Sequence, residues 1–108
     1  MNRELRFSHT ADEKLSNLEN TPSLIGVLKQ VRKTLGYLET NLEAKSLRTH
    51  PHKSLSRRYG VRVFQSYVQQ KTPGAYRTFW YFGPDEINKE GVRIPIITVL
   101  DIIPHPNE

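Results

Sequence analysis

Two patterns of apolar residues divide the chain. In the first, Leu24, Leu28, Val31, Leu35, Leu38 and Leu42 recur at alternating steps of four and three, the spacing of a single apolar stripe on an α-helix. The stripe predicts a helix of roughly 30 Å at the standard rise per residue. Pro22 stands at its first helical position, where a missing N–H does no harm. Gly26 and Gly36 lower the intrinsic stability of this helix, so it depends on packing. Upstream, Ala11, Leu15 and Leu18 share one face of a shorter helix, and Thr10-Ala11-Asp12-Glu13 matches a capping box with Thr10 as N-cap. Leu5-Arg6-Phe7 before it reads as a short strand.

The second pattern is that of strands. Asn41 to Arg58 reads as a loop centred on Thr49-His50-Pro51-His52, and Arg62 to Gln70 as a strand whose imperfect alternation leaves its faces unassigned. Lys71-Thr72-Pro73-Gly74 is a turn leading into the aromatic strand Ala75 to Phe82, which Gly83-Pro84-Asp85-Glu86 then breaks. Ile94 to Ile103 is so uniformly apolar and β-branched that it suits a strand covered on both faces, near the middle of a sheet. Pro95 marks its start or a bulge, and Pro104-His105-Pro106 ends it. The expected fold is α+β, in the order β-α-α-β-β-β: a helical hairpin packed on a small, twisted, mostly antiparallel sheet. The leucine stripe serves as the packing face of that hairpin rather than as a coiled-coil seam, and Trp80 belongs to the core.

Length and composition narrow the classes. The 108 residues make one domain, spanning 1–108, with one modest core. There is no cysteine, which excludes disulfides, zinc–thiolate sites and a thiol nucleophile. The N-terminal residues lack the apolar stretch of a signal peptide, and no apolar run approaches membrane-spanning length, so a cytoplasmic protein without membrane association is expected. The net charge of +5 is unevenly spread: residues 45–82 hold eight Lys or Arg and no acid, interleaved with Tyr59, Phe64, Tyr67 and Tyr76. A solvated basic loop is the plain explanation, but basic residues mixed with aromatics also suit a phosphate backbone with stackable bases. Arg48, Lys53, Arg57, Arg58, Arg62 and Lys71 are thus candidate RNA contacts.

Arg77 on the aromatic strand and His105 at the end of the last strand are the candidate catalytic pair. A guanidinium fork and an imidazole on adjacent strands supply charge stabilisation and proton transfer for phosphodiester cleavage. RNA carries its own nucleophile, the 2′-hydroxyl, so no metal or cofactor is required. Tyr67 or Gln69 would orient that hydroxyl or a base. Other roles remain open for these residues: Arg77 pairing with Asp101, His105 as an ordinary exposed histidine, and Asp101 pairing with Arg77 or Arg62. His50 and His52 have no acid or thiol nearby in sequence, which argues against a metal site. If Arg77 and His105 sit at the open face of the sheet, removing either leaves thermal unfolding little changed.

The segments Pro73-Gly74-Ala75-Tyr76-Arg77-Thr78-Phe79-Trp80-Tyr81 and Ile97-Thr98-Val99-Leu100-Asp101-Ile102-Ile103-Pro104-His105-Pro106, with the element order, resemble the RelE/ParE toxin superfamily of toxin–antitoxin systems. The resemblance implies the toxin of a type II system, an endoribonuclease that cleaves messenger RNA on the ribosome, with the basic segment gripping ribosomal RNA. It implies Arg77 as the phosphate contact, His105 as the proton-transfer group, and a cognate antitoxin as partner. The paired lysines that some ribonuclease members carry are absent from Phe64 to Gln70. Two alternatives stay open: a non-catalytic toxin that inhibits DNA gyrase, and a degenerate toxin fold serving as a binding module.

Overall fold

A computed structural model gives the structure of the chain and describes residues 2–69 and 74–104. Strand β1 (Glu4–Phe7) leads into helix α1 (His9–Glu19), and a 3-10 turn at Pro22–Leu24 opens helix α2 (Ile25–Thr40). A second 3-10 turn, Lys45–Leu47, precedes the two-residue strand β2 (His50–Pro51) and helix α3 (Lys53–Tyr59). Strands β3 (Phe64–Tyr67) and β4 (Tyr76–Phe82) follow, then a ribbon of β5 (Glu86–Ile87) and β6 (Arg93–Ile94), and finally β7 (Ile96–Pro104). The main sheet has the order β1-β7-β4-β3-β2, with β1 parallel to β7 and the other pairs antiparallel. This is an α+β fold with helices packed on a mostly antiparallel sheet. The apolar strand β7 lies inside it between β1 and β4, as its composition requires.

The leucine stripe is the packing face of α2: Leu28, Val31, Leu35 and Leu38 are buried with Ala11 and Leu18 of α1. They meet Trp80, Ile97, Val99 and Ile102 from the sheet. Leu24 and Leu42 lie just outside α2 yet still pack on this cluster, so the apolar pattern runs longer than the helix. Trp80 stacks on Phe64 at 4.8 Å, and its Nε1–H donates to Ser66 Oγ at 2.9 Å. Ser66, wholly buried, is why the strand's alternation looks imperfect in sequence: a polar residue occupies the core face as the indole's partner.

Three local features depart from expectation. The N-cap of α1 is Ser8, not Thr10; its Oγ accepts the Ala11 N–H at 3.0 Å and donates to the Leu100 carbonyl at 2.6 Å. Glu13, freed from the expected capping box, pairs with His9 at 3.0 Å. The segment 41–58 is not all loop, since it contains β2 and most of α3. His52 caps α3 through Nδ1, which accepts the Leu55 N–H at 3.3 Å, and Gly60 at φ 70° ends it. Only Leu55 and Tyr59 are large and apolar in Lys53–Tyr59, so no stripe announces this helix. The third is a bulge in β7. Phe79 pairs with Asp101 but Trp80 with Val99, which leaves Leu100 unpaired and turns the strand's later residues over. The Ser8 hydroxyl satisfies the bulged carbonyl. Asp101 pairs with Lys14 at 3.0 Å, not with Arg77 or Arg62.

Gly83, at φ 84°, allows the turn that sends the chain into the β5–β6 ribbon, and Pro95 separates that ribbon from β7. Asp85 ties the two: its carboxylate accepts the Ile96 N–H at 3.0 Å and Arg93 Nε at 2.7 Å. The backbone bond and then the arginine hold its carboxyl below the usual carboxylate range. No helix of the described residues is long and apolar enough to cross a membrane.

Candidate functional site

Side chains on β3 and β4 alternate between the two faces of the sheet. Phe64 and Ser66 face the helical hairpin with Trp80. Gln65 and Tyr67 face the other way, opposite Phe79 and Arg77 respectively. The second face is where the acid-free segment folds back, with α3 over part of it. His52 meets Phe79 edge-on at 5.4 Å.

Tyr67 is the hub of this face. The Arg77 guanidinium stacks on its ring with Cζ 3.6 Å from the centroid, and Arg48 Cζ lies 5.9 Å from the same centroid. His50 approaches the ring edge-on at 6.3 Å while its Nδ1 pairs with the Arg48 carbonyl at 2.7 Å. Arg48 itself sits in the left-handed region at φ 45°, which strains a side chain with a Cβ and aims it from the turn after Lys45–Leu47. Residues far apart in sequence thus surround one aromatic ring.

Arg77 is held more tightly than the sequence suggests. It is 8% exposed. Its Nη1 donates to the carbonyls of Gln69 at 2.9 Å, Tyr76 at 3.1 Å and Ala75 at 3.2 Å. Two hydrogens serve three acceptors, so at least one is shared. Nε is buried without a partner among the described residues. The side chain therefore ties together the two ends of the β3–β4 connection, and the expectation that it stands open on the sheet is corrected. No carbonyl of the described residues engages its Nη2, so Nη1 carries all of the bonds that hold the side chain to them. Gln69 works in the same connection: its Oε1 accepts the Tyr76 N–H at 3.2 Å.

The remaining basic candidates form a second group. Lys53, Arg57 and Arg62, with Pro51 and Ser56, line an open groove of about 390 Å³ on α3 and the chain that follows it. Arg62 lies over the Phe64 ring at 5.4 Å and Arg58 over Tyr59 at 5.9 Å. All four of these cations are exposed. Lys71 and His105 lie outside the described residues. Pro104, the residue before His105, pairs with Tyr76, the residue before Arg77. His52 caps a helix and His50 packs on Tyr67, so each imidazole has a role within the fold.

Gln65 and Phe79 belong to this face and were not singled out by the sequence pattern. The signal that could have found them is the Gln65-Tyr67-Gln69 alternation, obscured by the buried Ser66 on the opposite face.

A segment gripping a polyanion through α3 makes binding salt-dependent. Arg57→Ala with Arg58→Ala is expected to flatten the slope of log K against log salt by about 0.7 for each single-strand phosphate no longer neutralised. Unfolding should hardly change, since both side chains are exposed. Titrations of single-stranded RNA at several salt concentrations measure this; an unchanged slope assigns these arginines to plain solvation. No family model, curated protein or solved structure matches the chain.

Proposed function

We propose that this chain is a RelE/ParE-like toxin of a type II toxin–antitoxin system, acting in the cytoplasm as a metal-independent endoribonuclease on ribosome-bound messenger RNA. The observation that carries the reading is the gathering of Arg48, Arg77 and Tyr67 on one sheet face, beside the end of the strand that leads to His105. The β-α-α order followed by antiparallel strands supports it as well.

The chemistry asks three things of the protein: removal of the 2′-hydroxyl proton, stabilisation of charge on the phosphorane, and protonation of the leaving 5′-oxygen. Arg77 serves the second through Nη2, and a guanidinium already fixed by backbone carbonyls reorganises little as charge develops. The aromatic ring beneath it lowers the local polarity and orients the fork. His105 serves the first or third need. The products are a 5′-hydroxyl end and a 2′,3′-cyclic or 3′-phosphate end. A cognate antitoxin with an acidic segment would neutralise the basic face.

One observation favours a second reading, in which the protein binds DNA gyrase without chemistry of its own. Arg77 is 8% exposed and its Nη1 is occupied by backbone carbonyls, as suits a residue kept for folding. Controlled expression followed by mapping of RNA ends separates the two. The ribonuclease reading expects growth arrest with new 5′-hydroxyl ends, and loss of both in His105→Ala. Growth arrest without new ends, retained by His105→Ala, would transfer the assignment to gyrase.

A further inference from the structure

Between α3 and the sheet lies a cavity of about 620 Å³, with Gln65, Phe79, His52, Arg58, Tyr59 and Asp101 in its walls. That volume falls within the range of about 300–1,000 Å³ usual for small-molecule sites. Gln65 is the unusual member. It is 6% exposed, on a strand paired on both sides, and its side chain makes no hydrogen bond among the described residues. Among the described residues only Arg77 Nε is both sealed and unpartnered, so the Gln65 amide is not an unsatisfied group but one that lines the cavity wall. This amide is a donor and an acceptor side by side, facing a space large enough for a planar group.

The walls suit such a group. Phe79 is buried beside Gln65, and the His52 ring stands edge-on to it. Tyr59 is 49% exposed, an aromatic left in water at the rim, with Arg58 5.9 Å from its ring. Aromatic faces with an adjacent cation are what single-stranded nucleic acid binds through. Gln65 also shares its face with Arg77, one same-face step along the strands from Phe79, or about 7 Å at the ordinary rise per residue.

We propose that this cavity holds one unstacked nucleobase of single-stranded RNA, adenine before the others, read by the Gln65 amide. Adenine presents an amino donor next to a ring-nitrogen acceptor on both its Watson–Crick and Hoogsteen edges, so the amide pairs with it in either orientation. The Hoogsteen edge of guanine offers two acceptors, and each pyrimidine has only one such edge. Tyr59 closes over the base, and Arg58 meets the attached phosphate. The inference deepens the ribonuclease reading and rests on it only for the identity of the polymer.

Binding is tested without any cleavage, by titrating the full chain with adenosine 5′-monophosphate, the other three nucleoside monophosphates and inorganic phosphate. The shifts of the Gln65 side-chain amide and Tyr59 ring resonances are followed. Saturable binding of the adenine nucleotide, tighter than the other four probes, is expected. Gln65→Leu, which substitutes an apolar side chain for the amide, should weaken it about tenfold or more. Tyr59→Ala, at an exposed position, should weaken it while leaving unfolding unchanged. Binding no tighter than inorganic phosphate, equal affinity for all four bases, or full affinity in folded Gln65→Leu each overturns the proposal. Adenine binding in a chain that cleaves no RNA supports the cavity and removes only the ribonuclease reading. Cleavage without nucleotide binding does the reverse.

Discussion

Arg77→Ala is expected to lower the unfolding free energy by about 2–3 kcal/mol. Hydrogen bonds from a charged donor contribute about 1.5–3 kcal/mol each, and the desolvated stacking on Tyr67 adds up to about 2 kcal/mol. These gains are partly offset by the buried Nε, which has no partner among the described residues and costs about 1–3 kcal/mol. The three carbonyls of Gln69, Ala75 and Tyr76 lose their shared donor in the variant, so loosening should start in the β3–β4 connection. Denaturant unfolding gives the total, and amide exchange along β3 and β4 gives the place. Measured where the variant is fully folded, RNA cleavage should still fall by about a hundred- to a thousand-fold if the second guanidinium edge meets the phosphate. Arg77→Lys should keep the charge but not the planar fork, and restore each property only in part. Full cleavage by folded Arg77→Ala would make Arg77 a folding residue and nothing more.

Trp80→Ala is expected to cost about 3–5 kcal/mol, the range for emptying a large aromatic site in a core. The indole is 1% exposed and lies in the main cluster between the helices and the sheet, against Phe64 and Phe82. Trp80→Phe separates packing from polarity. Ser66 Oγ would lose the indole but keep Thr49 Oγ1 at 2.7 Å, so the hydroxyl stays partnered and the cost should be only about 1–2 kcal/mol. Thermal unfolding followed by circular dichroism measures both variants. Equal losses in the two would mean that the hydrogen bond, rather than the ring, holds the site together.

The helices of the hairpin and the place of β7 were legible because they rest on periodicity and composition, which are local. Leu28, Val31, Leu35 and Leu38 meet the sheet on one face wherever a helix forms, and a strand as apolar as Ile96 to Ile103 is stable only when covered. The concentration of positive charge between residues 45 and 82 was equally plain in sequence. What each charged or polar group does with its partners was not, because those partners come from distant parts of the chain. Ser8 replaces Thr10 as the cap since only Ser8 also reaches the carbonyl of the Leu100 bulge, a hydrogen bond across 92 positions. Helix α3 carries too few apolar residues to announce itself and depends on a histidine cap and a glycine stop. Asp101, next to the bulge, pairs with Lys14 of α1 rather than with an arginine of the sheet. Arg77 was recognisable as a residue of interest from its strand. Its burial against Tyr67 and its bonds to the β3–β4 connection were decided by the pairing of Tyr67 with Arg77, which no local pattern contains. The amide of Gln65 is left facing a cavity for the same reason: strand register and the position of α3 decide what stands opposite it.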